Sequence, residues 1–192
     1  IILHQDFLKT DIDADIKKYF GEIKEVKFIS NLPYHITTPI IMKILEESKL
    51  ISELTLMMQL EVALRMTSKP KSKDYNALSL IIQDLTEAKY LFKVPKSVFK
   101  PKPIVDSAIV KLIRKDKKVY ADNEGFYQFL HKAFQQKRKT LLNNLNASYP
   151  EFSKQILKDL LASYDIIDTI RGEELSLIEF KKIYKHFEKE NK

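Results

Sequence analysis

Asn31-Leu32-Pro33-Tyr34 follows the short run Phe28-Ile29-Ser30 and precedes a helix start at Thr37-Thr38-Pro39. An amide, a proline-opened backbone and an aromatic ring thus meet at the tip of a predicted strand. These groups suit a flat ring that carries an amine, adenine among them. Adenine's exocyclic nitrogen is a poor nucleophile, because its lone pair is delocalised into the ring. The Asn31 amide oxygen and a backbone carbonyl near Leu32 can accept the two amine hydrogens. That favours a more pyramidal nitrogen whose lone pair faces an electrophile. Tyr34 can stack on the base and supply binding energy. The same four residues also fit an Asx-type turn that packs a tyrosine.

Three further stretches carry usable chemistry. The acid of Asp6-Phe7 can accept from the amino group of a cofactor adenine, with Phe7 flanking it; a loop acid beside an inward phenylalanine is the other reading. In Phe99-Lys100-Pro101-Lys102-Pro103, alternating prolines fix an extended loop. Phe99 can clamp the second face of the target base while Lys100 and Lys102 meet phosphate, or it can plug a core. Lys137, Arg138 and Lys139 lie between two predicted helices, as an RNA-backbone contact or as a solvated junction. His4, His35, His131 and His186 show no metal-ligand spacing, so no metal is expected.

These residues need elements to hold them. Ile1-Ile2-Leu3 reads as the end of a buried strand, and Asp11–Tyr19 as a short amphipathic turn or helix stopped by Gly21. Strands are predicted over 25–30 and 54–59. A helix between them is capped by Thr38, with Pro39 at its first position. Near-continuous apolar strands between helices indicate a parallel sheet buried on both faces. Helices follow over 61–66 and 76–86, then strands over 88–94 and 107–114. That last pair lacks a helix between its members and reads as an antiparallel closing hairpin. Residues 115–122 read as a linker. Everything beyond is helical, over 123–134, 139–145, 152–163 and 177–188, with Ser176 and Glu179 forming a capping box.

Composition bounds the function. The 192 residues include no cysteine, which excludes disulfides, cysteine-ligated metal and a thiol nucleophile. No apolar run reaches the ~20 residues that cross a bilayer, so no membrane partner is expected. The lack of cysteine fits a reducing cytoplasm, which is the expected compartment. The net charge is +7. From Lys89 to Lys118 ten basic residues face two acids, Asp106 and Asp116. Arg65, Lys69, Lys71 and Lys73 form a second cluster. Such clustering suits a polyphosphate partner and also fits a solvated lysine-rich surface. The start at Ile1, without methionine and within a predicted strand, reads as a fragment of a longer protein.

Taken in order, the motifs resemble the KsgA-type (RsmA) small-subunit ribosomal RNA adenine dimethyltransferases. Asn31-Leu32-Pro33-Tyr34 is similar to the target-base motif of that family. Gln59-Leu60-Glu61-Val62-Ala63 with Arg65-Met66 resembles its "QxEVAxRh" segment. Lys73-Asp74-Tyr75-Asn76-Ala77-Leu78-Ser79 is similar to "KDYGxLS", with Asn76 in place of glycine. Phe99 to Ser107 looks like "FxPxPxVxS". Phe134 to Leu141 resembles "FxxRRKxL", with Lys137 in place of arginine. Arg171 to Phe180 is similar to "RxExLSxxEF".

The resemblance implies an α/β fold: a class I (Rossmann-like) methyltransferase sheet without its first strands over 1–118, then a small all-α domain over 119–192. It implies S-adenosyl-L-methionine as methyl donor, held by Asp6, Phe7 and Asn31. The substrate would be two adjacent adenines near the 3′ end of small-subunit rRNA, in a 30S-type particle. It implies catalytic roles for Asn31, Leu32, Tyr34 and Phe99, and RNA contacts through Lys100, Lys102, Lys137, Arg138 and Lys139. The glycine-rich cofactor loop of the family would lie upstream of Ile1, so the chain alone is expected to bind cofactor poorly and to be inactive. Erm-type large-subunit rRNA methyltransferases share much of the motif order. A non-catalytic RNA-binding assembly factor is the alternative from another class.

Overall fold

The computed structural model describes residues 1–115 and 120–190. It divides into two compact units, one of residues 1–67 and 82–122, the other of 68–81 and 123–192. Half of the predicted linker, residues 116–119, with the expected 118/119 boundary inside it, lies outside the described residues. Segment 68–81, which a linear division leaves with the sheet, clusters with the helices. Two anchors explain this: the Tyr75 ring packs edge-on against Phe134, and the Lys71 amide donates to the Glu173 carbonyl at 2.7 Å.

The first unit is built on a four-stranded sheet, β1 (Val26–Asn31), β2 (Ile51–Gln59), β3 (Thr86–Val94) and β4 (Ser107–Arg114). The spatial order is β1-β2-β4-β3. β1 and β2 run parallel, and β4 runs antiparallel to both β2 and β3, so the closing hairpin is present as expected. Burial is one-sided. Leu54, Leu56 and Met58 of β2 pair with Leu112, Val110 and Ala108 of β4, and all six are fully buried. On the opposite face Thr55 and Met57 pair with Lys111 and Ile109 and are only half-buried, while Ile29 on the β1 edge is 79% exposed. The apolar content of the strands therefore overstated their burial.

Two helices flank the first strand. α1 (Ile12–Phe20) is capped by Asp11, whose carboxylate accepts from the Ala14 amide at 3.0 Å. It ends at Gly21, whose φ of +74° suits a residue without Cβ. α2 (Thr37–Glu47) buries Ile40, Ile41, Ile44 and Leu45. It grows out of a 3-10 turn at Tyr34–Ile36, so the expected cap by Thr38 is not made. Thr37 is instead the first helical residue, and its hydroxyl donates back to the Pro33 carbonyl at 3.0 Å. Pro39 still lies in the first turn, where no intrahelical donor is needed. Ile1, Ile2 and Leu3 form no strand, contrary to expectation, and are 81%, 96% and 39% exposed. No ladder partner is available to them among the described residues.

α3 (Leu60–Thr67) follows β2 directly, and α4 (Ala77–Leu85) leads into β3. The second unit adds α5 (Glu124–Ala133), α6 (Leu141–Ser148), α7 (Lys154–Ala162) and α8 (Leu177–Glu190). Thr140 and Ser153 cap α6 and α7, and the expected Ser176–Glu179 box opens α8. Its core is aromatic: Phe129 packs against Phe180 and Phe187, and Tyr149 lies 4.8 Å from Phe187. No helix among the described residues is long and apolar enough to cross a membrane.

Burial raises the Tyr149 phenol from 10.0 to about 12, with Tyr184 and Glu151 adding to it. A raised folded-state value means stability that is complete below pH ~10 and is lost as pH climbs through about 12. Urea melts of Tyr149→Phe are expected to match the wild type at pH 8 and to exceed it at pH 11.

Candidate active site

Because β4 alone runs against the other strands, Asn31, Gln59, Val94 and Ser107 all mark one end of the sheet. Ligands of open α/β sheets bind beyond the carboxyl ends of the strands, and this is that end. Asn31 closes β1 opposite Met57 and is exposed; among the described residues no hydrogen bond reaches its amide. The Leu32 amide donates to the Met57 carbonyl at 3.1 Å, and the Leu32 side chain is buried. These bonds fix the backbone at the tip. The Pro33 carbonyl accepts from the Ile36 amide and the Thr37 hydroxyl. The Leu32 carbonyl accepts none among the described residues. The pair of acceptors read from the sequence, the Asn31 amide and a carbonyl near Leu32, is therefore open.

Tyr34 is half-buried, and its hydroxyl lies 2.7 Å from the Ser107 hydroxyl. That bond ties the Asn31–Tyr34 stretch to the proline-rich loop, 73 residues later in the chain. The loop is braced at its neck by Asp106. One carboxylate oxygen accepts from the Lys96 amide at 2.8 Å and the other pairs with Lys93 at 2.7 Å. The Lys93 hydrogen bond, then the Lys96 amide, hold the Asp106 carboxyl below its usual value. Phe99 is half-buried just past a 3-10 turn at Lys96–Val98, and the Lys100–Pro101 bond is cis. Lys100 and Lys102 are exposed.

Asp6 caps a 3-10 turn over Phe7–Lys9, accepting from the Leu8 amide at 3.0 Å. Its side chain stays 54% exposed, with its second oxygen 3.9 Å from Lys9. Phe7 packs on Phe28 of β1 at 5.8 Å and helps to line an apolar cavity of about 450 Å³ with Ile12, Ile16, Phe20 and Val26. Asp6, next to Phe7 in the chain, thus keeps a carboxylate oxygen accessible that can accept from an amino group. No cluster of metal-ligating side chains occurs among the described residues.

Lys137, Arg138 and Lys139 are exposed in the turn between α5 and α6, on the helical unit. The Lys137 ammonium donates to the Lys73 carbonyl at 2.7 Å, which joins this turn to the basic 68–76 loop. Three supporting residues escaped the sequence reading: Ser107, Asp106 and Asn144. The first two stood inside the quoted "FxPxPxVxS" run; Asn144, on α6, carried no local signal.

The family described as ribosomal RNA adenine dimethylase matches residues 1–185. The chain is 46% identical over 186 residues to the ribosomal RNA small subunit methyltransferase A of Bacillus pumilus, covering 95% of this chain and 64% of that protein. It is 44% identical over 192 residues to the protein of the same name from Enterococcus faecalis, covering 98% of this chain and 65% of that one. Among solved structures, a dimethyladenosine transferase from Plasmodium falciparum superposes with a TM-score of 0.71 at 28% identity, over 86% of this chain and 67% of the other. The 23S rRNA methyltransferase ErmE superposes at 0.63 with 22% identity, over 95% and 70%, a likeness of fold. The chain spans just under two thirds of the length of the curated relatives it matches. A family match along nearly the whole chain, beside relatives 44–46% identical over almost all of it, means that the chain belongs to the ribosomal RNA adenine dimethylase family.

Proposed function

We propose that the whole protein methylates the exocyclic amines of two adjacent adenines near the 3′ end of small-subunit rRNA, acting on a 30S-type particle in the cytoplasm. The observation that carries this reading is the open pair of acceptors, the Asn31 amide and the Leu32 carbonyl, beside the Tyr34 ring. They accept the two amine hydrogens and turn the nitrogen lone pair outward. Tyr34 stacks on one face of the base and Phe99 closes on the other. Orientation and removal of water supply much of the rate. Asp6 and Phe7 hold the adenine of the cofactor, and Asn31 serves both cofactor and target base. S-adenosyl-L-methionine, when bound, supplies an activated methyl group. No general base is required for transfer, since the proton can leave afterwards.

Lys100 and Lys102 meet phosphate near the target base, and Lys137, Arg138 and Lys139 meet the RNA backbone from the helical region, 119–192. Arg138→Ala is expected to weaken RNA binding for every sequence alike. It should also lower the slope of log affinity against log salt by about 1. Filter binding from 50 to 300 mM salt checks both.

The assay that tests the function offers the whole protein labelled S-adenosyl-L-methionine with unmethylated small-subunit particles or large-subunit rRNA, and maps the product. Dimethyladenosine near the small-subunit 3′ end is the expected result. Large-subunit product would replace this reading with an Erm-type activity. Absence of product would replace it with a non-catalytic assembly role.

A further inference from the structure

We infer that Ser107 is a positioning residue for methyl transfer: its buried hydroxyl holds the Tyr34 ring at the angle the target base must meet. The inference rests on the proposed function and assigns a role to a residue outside the base-contacting set.

Ser107 is suited to this by its rigidity. It is fully buried, and it is the first residue of β4, paired with Gln59 on one side and Val94 on the other. The preceding residue, Asp106, is fixed three ways: by Lys93, by the Lys96 amide, and by its own carbonyl, which accepts from the Leu60 amide at 3.0 Å. Tyr34 is placed less firmly. It opens a 3-10 turn that has no side-chain cap, and its ring is half-exposed. The 2.7 Å contact joins a half-exposed ring to a fixed point of the sheet.

The geometry also gives the bond a direction. It grips the ring at its far tip and leaves the ring faces free, so a stacked base is aligned without being displaced. The same β4 start braces the neck of the loop that carries Phe99. Asp106 and Ser107, adjacent in sequence, thus tie both proposed sides of the base clamp to one strand end. A small buried hydroxyl is what the position needs: it reaches the phenol, and it needs no water.

The test is a double-mutant cycle in the whole protein, with Ser107→Ala, Tyr34→Phe and the pair. Tyr34→Phe keeps the ring and removes its hydroxyl. A neutral hydrogen bond of about 1 kcal/mol corresponds to roughly a fivefold change. Each single variant is expected to lower kcat about fivefold with KM within about twofold, and the double variant to be no worse than either. Unchanged kcat in Ser107→Ala, or single effects that multiply in the double, would overturn the inference.

A second arm reads the ring without catalysis. With 3-fluorotyrosine placed at position 34 of this chain, the fluorine resonance is expected to be narrow in wild type and shifted or broadened in Ser107→Ala. A resonance unmoved by that substitution would overturn the inference. A wild type that transfers no methyl group defeats the proposed function alone, and the fluorine arm then decides whether Ser107 holds the ring.

Discussion

Asn31→Ala in the whole protein is expected to lower methyl transfer by about 10²–10³-fold while RNA affinity changes little. The magnitude is that of removing one preorganised group aimed at developing charge. The asymmetry between the two readouts follows from the structure. Asn31 is exposed, and no hydrogen bond reaches its side-chain amide among the described residues. Its backbone is held by the ladder with Met57 and by the Leu32 amide, neither of which alanine disturbs. The loss should therefore fall on the chemical step. Single-turnover transfer with labelled cofactor, set beside filter binding of the same RNA, separates the two. Asn31→Asp keeps an acceptor at the same place and should retain more activity than alanine. Equal turnover in Asn31→Ala and wild type would remove Asn31 from the mechanism.

The parts of this site that were legible in the sequence are those that a local pattern specifies. The acceptors and ring of Asn31–Tyr34 follow one another in the chain, so a strand end followed by a proline turn was enough to place them. The β3–β4 hairpin was legible because two apolar runs are joined by a proline-rich loop with no room for a helix. The Ser176–Glu179 box is a three-residue rule and is present. What was not legible depends on partners far away in sequence. Ile1-Ile2-Leu3 has the composition of a strand, yet a strand exists only where a neighbour accepts its hydrogen bonds. Ile29 is apolar and exposed because it shares the less covered face of the sheet with its partner Thr55, and the alternation along β1 alone does not say which face is covered. The Tyr34–Ser107 bond spans 73 positions, and segment 68–81 joins the helices through Tyr75 and Phe134, contacts that no local period encodes. Thr38 fits the rule for a helix cap, but the 3-10 turn before it had already started the helix two residues earlier.

The largest stability effect should come from Asn144, which no pattern announced. Its side chain is 3% exposed, and its amide nitrogen donates to the Ala133 carbonyl at 2.9 Å and the Gln136 carbonyl at 3.2 Å. Its amide oxygen accepts from the Gln136 amide at 3.1 Å. One buried amide thus bonds both the C-terminal end of α5 and the start of the turn that carries Lys137, Arg138 and Lys139. Asn144→Ala leaves two carbonyls and an amide without that partner, at a cost of about 2–4 kcal/mol. Asn144→Leu restores most of the volume but none of the bonds, so a similar loss in both variants assigns the effect to hydrogen bonding and not to a cavity. Asn144→Asp should be no better, because one of its oxygens would face two carbonyl oxygens, although the other can still accept from the Gln136 amide. Urea melts of the chain at pH 7 measure all three. The turn should loosen along with the stability, because its three cations are presented by backbone that Asn144 holds. RNA affinity of the whole protein should therefore fall in Asn144→Leu at a temperature where it remains folded, although Asn144 itself is buried from any ligand. Wild-type stability in Asn144→Leu would show that the helix end is satisfied without the amide, and the link from Asn144 to the basic turn would be lost with it.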